Sequence, residues 1–279
     1  MKIAYFGYDF FYDCLKTVLS EGHEVVKLFT FDTDNLYNFN VFLKEICEKN
    51  NIPVQTTPVT AADITALLDE GVTLFLACAY PYKIPVPDDP RFKGVNTHPS
   101  LLPKVRGVWP LPVILLKERT SAGLTLHKLS AQWDQGDILL QQAISLSEED
   151  DLESYSAKCM MRAPDMVRTL LADFDHVWSE ARPQSGEKSY YTYPTDSDKT
   201  FDFEKSVDEI SHVGKAFGRF ESLAILDGKR YWVKDFSVWH ESHTYPCGHI
   251  VLKANREWCV AAKDGFVCLK DFYEEVSPS

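Results

Sequence analysis

With 279 residues, 45% of them hydrophobic and 25% charged, the chain can bury a substantial core without disulfide or metal staples and is not a disordered sequence. Its formal net charge of −12 argues against a partner held chiefly through a phosphate backbone, since that mode needs clustered Lys and Arg. Seven widely spaced cysteines contain no Cys-x-x-Cys pair, no run reaches the ~20 apolar residues of a membrane span, and the start lacks a signal-peptide pattern, so a cytoplasmic protein without a metal site is expected.

Lys2 to Phe6 is an apolar run closing on Gly7, and Phe11 to Leu19 follows with helical spacing. Glu24 to Phe29 reads as a second strand, Val41 to Cys47 as an amphipathic helix, Val54 as a short strand, and Thr60 to Leu68 as a helix. Thr73 to Ala77 is a continuous apolar strand of the kind buried on both faces. This alternation predicts an α/β fold: a Rossmann-like, mostly parallel twisted sheet with helices on both faces. The first turn has a single Gly7 where a dinucleotide fingerprint needs three glycines, so a dinucleotide is not the expected ligand.

Ala79 to Pro90 is stiffened by Pro81, Pro85, Pro87 and Pro90 and lies after a sheet strand, where such folds bind ligands. Phe92 to Asn96 reads as a strand, Trp109 to Lys117 as a helix, Gly123 to Leu129 and Ile138 to Ile144 as strands, and Leu152 to Leu171 as a long helix behind an acidic cap. From Arg182 the composition turns to Pro, Ser, Gly, Tyr and Thr. The expected organisation is therefore a Rossmann-like domain over 1–185, a linker over 186–198 and a small C-terminal β-rich domain over 199–279. That domain opens with a helix at Val207 to Phe217 and continues in short β-like runs, with Asp227-Gly228 as a hairpin turn, which suggests a barrel-like sheet. Its aromatics Phe217, Phe220, Tyr231, Trp232 and Trp239 read as core or as a dimer surface.

The residues with chemistry begin at Asn96-Thr97-His98-Pro99. Asn96 and His98 are two apart, so both leave one face of a continuing strand, and Pro99 denies His98 the helical backbone and ends that strand. Asp134 follows in Gln132-Trp133-Asp134-Gln135-Gly136-Asp137. An amide, an imidazole and a carboxylate suit acyl transfer to an amine: the amide and a protonated imidazole donate to the developing oxyanion, and the carboxylate orients and charges the imidazole or a relaying water. The amine is itself the nucleophile, so no reactive Ser or Cys is required.

The run Asn-x-His-Pro-Ser-Leu-Leu-Pro-x-x-Arg-Gly at 96 to 107, then Gly123-Leu124-Thr125-Leu126-His127 and Asp134-x-Gly136-Asp137-Ile138, resembles the signature of the folate-dependent formyltransferases. These include glycinamide ribonucleotide formyltransferase, methionyl-tRNA formyltransferase and the nucleotide-sugar N-formyltransferases. The resemblance covers most of residues 1 to 172, and the added C-terminal domain looks most like the tRNA and amino-sugar branches. It implies 10-formyltetrahydrofolate as formyl donor and Asn96, His98 and Asp134 as the catalytic trio. Tyr82, Lys83 and Ile84 match the family's pterin-receiving loop, with Gln132 and Gly136 opposite, although Pro81 stands where the family more often has glycine.

His127, on an alternating strand, reads as a packed or hydrogen-bonded structural residue, and Asp137 as a loop or cap residue. Lys104 and Arg106, two cations beside the catalytic turn of an acidic chain, suit a diphosphate or carboxylate anchor, and Trp109 suits either core or a stacking role. The acidic charge and a short, non-basic second domain favour a small nucleotide-linked amino deoxysugar as acceptor. An aminoacyl group on tRNA or a carrier protein, or water in a hydrolase, are the alternatives. No membrane partner is expected, and a homodimer is left open.

Overall fold

The computed structural model describes residues 1–34 and 36–276. In chain order the elements are β1 (Lys2–Gly7), α1 (Tyr12–Ser20), β2 (Glu24–Phe29), α2 (Val41–Lys49), β3 (Val54–Gln55), α3 (Ala61–Asp69), β4 (Leu74–Cys78), β5 (Gly94–His98), β6 (Arg106–Gly107), α4 (Pro110–Lys117), β7 (Gly123–Lys128) and β8 (Ile138–Ala143). They continue as α5 (Leu152–Ala172), α6 (Phe174–Ser179), β9 (Tyr190–Tyr191), α7 (Asp196–Lys199), α8 (Val207–Phe217), β10 (Ser222–Leu226), β11 (Lys229–His240), β12 (Ile250–Ala254), β13 (Glu257–Ala262) and β14 (Gly265–Glu274).

Two compact units result. The first comprises Met1–Pro110, Thr120–Leu146 and Ser156–Tyr191; the second comprises Leu111–Arg119, Ser147–Tyr155 and the chain from Thr192 onward.

The first unit holds a seven-stranded sheet in the order β3-β2-β1-β4-β5-β7-β8. Its first five strands pair in parallel, and β7 and β8 run antiparallel at the end. All five residues of β4 are buried, as the unbroken apolar run predicts. Alternation along β1 divides its side chains between two layers. Ala4 and Phe6 pack with Ile64, Leu67 and Leu68 of α3, while the Tyr5 hydroxyl donates to the Phe11 carbonyl at 3.0 Å on the opposite face. Phe6 stacks on Phe29 at 4.6 Å.

Local chemistry fixes the helix starts. Thr60 and Asp63 form a reciprocal capping box on α3. The buried Asp9 carboxylate accepts from the backbone N–H groups of Phe42 and Leu43 at 3.0 and 2.9 Å, satisfying donors that α2 cannot use internally.

The second unit is a five-stranded antiparallel sheet in the order β10-β11-β14-β13-β12, with α8 packed on one face. Val207 and Ile210 of α8 meet Ala224, Val233, Val260, Val267 and Leu269 in its core. Asp227 and Gly228 form the expected hairpin turn, both at positive φ (50° and 74°).

Two expectations are corrected. The sheet is open rather than barrel-like, because among the described residues β10 and β12 form its two edges; a helix covers the apolar face that closure would otherwise bury. β11 also runs on to His240, because register shifts at Asp235 break the alternation that would have marked its second half.

The Phe6→Ala substitution should cost about 3–5 kcal/mol in urea unfolding, since it opens a cavity where Phe6 is wholly buried against Phe29. A loss below about 1 kcal/mol would mean the Phe6 layer is not close-packed.

Candidate active site

The C-terminal end of β5 delivers Asn96 and His98 on one side of the sheet, opposite His127 and Thr125 of the neighbouring β7. The chain then turns sharply through Pro99 to Leu102. Thr125 holds this turn: its hydroxyl donates to the Ser100 carbonyl at 2.6 Å and accepts from Leu102 N–H at 3.2 Å and from Gln141 at 2.9 Å. Past a cis Leu102–Pro103 bond the chain returns so that the Val105 carbonyl accepts from His98 Nε2 at 2.8 Å.

His98 and Asp134 are both buried, with Nδ1 of the first 3.5 Å from Oδ1 of the second. The other carboxylate oxygen accepts from Gly107 N–H at 2.9 Å. Burial opposes ionisation of Asp134, but His98, His127 and the Gly107 N–H together outweigh it and hold the carboxyl far below its ordinary range. Burial also dominates at His98 and lowers its pKa against the opposing pull of Asp134. The resting pair is thus a carboxylate beside a neutral imidazole. Because Nε2–H is donated to a carbonyl, Nδ1 carries the lone pair, and a proton arriving there meets Asp134.

His127 belongs to the same cluster. Its Nδ1–H donates to the Lys128 carbonyl at 2.9 Å, so Nε2 is the acceptor; it takes the Asn96 Nδ2–H at 3.2 Å and lies 3.5 Å from Asp134 Oδ1. The residue is packed and hydrogen-bonded as expected, and its bond to Asn96 fixes which way that amide faces. The neighbouring acid Asp137 lies instead 3.8 Å from Lys128 Nζ.

A cleft opens beside this cluster, lined by Ala77, Tyr80, Tyr82, Lys83, Ile84, Asn96, His127, Leu129, Gln132, Trp133 and Asp134. Ile84 and Ala77 supply buried apolar wall, while Tyr82 and Trp133 are 38% and 46% exposed at the rim. Apolar walls, aromatic rims and the Gln132 amide suit a flat heteroaromatic ring. Gly136 lies behind it, where a Cβ would come within 1.8 Å of the Lys128 carbonyl, so it shapes the loop without lining the cleft.

The three expected acceptor-binding residues separate. Lys104 pairs with Glu187 at 2.8 Å, and Trp109 is half-buried at φ 51°. Arg106 is buried, and its Nε and Nη2 donate to Gln184 Oε1 at 3.0 and 2.6 Å.

Gln184 and the following residues have no counterpart among the sequence-derived candidates, because neither periodicity nor motif marks them. The stretch 186–198 is not a featureless linker: Tyr190–Tyr191 pairs with Arg106–Gly107 as a parallel two-stranded sheet, and Asp196–Lys199 is helical.

Chemically, the cluster offers an oriented amide donor, a neutral imidazole able to accept a proton, and a carboxylate to stabilise the resulting imidazolium. In an NMR titration of substrate-free protein His98 should titrate below its ordinary value of 6.5. Asp134→Asn should move it lower still, because the carboxylate is what opposes burial. An upward move in that variant would contradict the pairing.

Residues 49–169 match the model of the family described as formyl transferase. The methionyl-tRNA formyltransferase of Treponema denticola is 33% identical over 148 residues, which is 50% of this chain and 46% of that protein. Two Ehrlichia methionyl-tRNA formyltransferases align over 62% and 56% of their length, so this chain spans about half to two thirds of these relatives. Among solved structures, HypX from Aquifex aeolicus superposes with a TM-score of 0.72 at 17% identity, over 99% of this chain and 45% of that one. An N-formyltransferase from Helicobacter canadensis, in complex with folinic acid and dTDP-3-aminofucose, superposes with a TM-score of 0.71 at 16% identity, over 98% of this chain and 99% of that one. At these identities the superpositions establish the fold. The matched segment contains Asn96, His98 and Asp134, and over it the chain is similar to the formyl transferases.

Proposed function

We propose that the protein transfers the formyl group of 10-formyltetrahydrofolate to the primary amine of a nucleotide-linked amino deoxysugar. The observation that carries the reaction is the buried Asp134 carboxylate beside His98 and Asn96, at the edge of a cleft suited to a pterin. The amine nitrogen attacks the formyl carbon, Asn96 donates to the oxyanion, and the ammonium proton passes to the His98–Asp134 pair directly or through a water. Collapse breaks the bond from the formyl carbon to the folate nitrogen, which takes a proton back. The folate contacts in this reading are Tyr82, Lys83 and Ile84 on one side and Gln132 on the other, with Gly136 supporting the latter. The acceptor lies toward Lys104 and Trp109, with Arg106 held behind them.

Two observations favour a sugar nucleotide. The chain carries a net charge of −12, and its fold superposes over nearly its full length on the Helicobacter canadensis N-formyltransferase. Formylation of methionyl-tRNA is the second reading, favoured by the identity of the methionyl-tRNA formyltransferase relatives. A cytoplasmic homodimer is part of the proposal, and light scattering checks the dimer.

The direct test supplies 10-formyltetrahydrofolate with a panel of nucleotide-linked amino sugars and, separately, methionyl-tRNA. Formylation of tRNA alone would overturn the sugar acceptor. With the correct acceptor, His98→Ala should lower turnover about 100-fold or more. The wild-type rate should fall as pH drops through the His98 titration, below 6.5, because the imidazole must be neutral to accept the proton.

A further inference from the structure

Part of the site, Asp134 and the turn at 105–109, sits in loops that the large sheet does not itself constrain. Val105, Trp109 and Asp134 all have positive φ, at 55°, 51° and 53°, a region that L side chains rarely adopt. Conformations of this kind persist where their surroundings over-determine them. Both loops here are held by one segment, Arg182 to Tyr191, that follows the last helix of the first unit.

The segment is first fixed at Arg182, which exchanges two backbone hydrogen bonds with Ile138 at 2.8 and 2.9 Å. It then grips the catalytic turn repeatedly. Ser189 Oγ accepts from Val105 N–H at 2.9 Å, the Ser189 carbonyl accepts from Arg106 N–H at 3.0 Å, and the Tyr191 carbonyl accepts from Val108 N–H at 3.2 Å.

Gln184 connects this turn to the other loop. Its Nε2 donates to the carbonyls of Asp134 and Gly136, each at 2.8 Å, while its Oε1 accepts both hydrogen bonds from the buried Arg106 guanidinium. A primary amide carries an acceptor at one branch and two donors at the other, and every one of those contacts uses that polarity.

We propose that Gln184 is a positioning residue for Asp134: with Arg106 it clamps the loop at 134–136 to the catalytic turn, and so sets the distance between the carboxylate and His98. Gln184 does not line the cleft, so it acts through Asp134. The polarity of its amide is what matters. A carboxylate in its place would suit Arg106 but would turn an acceptor toward the two loop carbonyls.

The inference rests on the formyl-transfer reading for its kinetic consequence and on geometry alone for its spectroscopic one. Three variants test it: Gln184→Glu, Gln184→Met, and the double variant Arg106→Met with Gln184→Met, which removes the buried cation that the single Met variant would leave unpaired. The proposal expects kcat to fall about 10- to 100-fold in all three with KM for the folate within about threefold, as misplacement of a catalytic group by a fraction of an ångström would give. It also expects His98 to titrate lower in the double variant, measured by NMR without substrate, because Asp134 no longer holds its station.

If the residue serves only to accommodate Arg106, Gln184→Glu and the double variant retain kcat within about twofold and the double variant leaves the His98 titration unmoved; that result overturns the proposal. A wild-type protein that transfers no formyl group refutes the function proposed above, and the His98 titration in the double variant then decides this inference by itself. If Gln184→Met does not fold, the other two variants give the same two answers.

Discussion

A carboxylate 6% exposed, next to a histidine 4% exposed, is the constraint on which the rest of this site depends. A buried charge costs several kcal/mol unless its lone pairs are met, and removing a partner from such a group typically costs about 3–5 kcal/mol. Here the partners come from three separate parts of the chain: His98 from the end of β5, His127 from β7, and the Gly107 N–H from the turn between them. Satisfying Asp134 therefore requires the strand end, the neighbouring strand and the turn to be in place together. The backbone conformations at Val105, Trp109 and Asp134, each worth about 1–3 kcal/mol of strain, are part of what that assembly costs.

The close approaches in the site have the same origin. Gly107 has φ 104°, and a Cβ there would lie 2.0 Å from the Tyr191 carbonyl. The same residue's N–H donates to the Asp134 carboxylate at 2.9 Å. Arg106, two residues from a turn rich in polar groups, reads in sequence as a cation for a ligand, yet it is buried against Gln184. A guanidinium that faces inward serves as a bracket for the protein itself, through its Nε and Nη2 donors to Gln184.

Much of the fold was legible because it rests on local signals. The unbroken apolar runs of β1 and β4, the capping box at Thr60 and the Asp227-Gly228 turn each fix structure within a few residues of themselves. Asn96, His98 and Asp134 were legible through spacing and family resemblance, and the structure brings them together. His127 was legible as a packed or hydrogen-bonded residue but its bond to Asn96 was not, because alternation says which face a residue leaves but not what awaits it across the neighbouring strand. Gln184 and Ser189 were invisible for a related reason: their contacts are 48 to 84 residues away along the chain, and a polar stretch with Pro and Gly looks the same whether it is a solvated linker or a hydrogen-bonded strap. The open second sheet was read as a barrel because short strands record their faces and not whether their edges meet.

Strand pairing between β5 and β7 has one more consequence. Asn96 stands opposite His127 and His98 opposite Thr125, in an antiparallel register that also sets Thr97 against Leu126 and Val95 against Lys128; Val95 and Leu126 are fully buried aliphatic side chains. A slip of one residue would carry every side chain of β7 to the other face, exchanging His127 for a leucine. The oily residues on either side of the polar ones thus act as a vernier: hydrophobic packing with no chemistry of its own sets where an amide hydrogen meets an imidazole nitrogen.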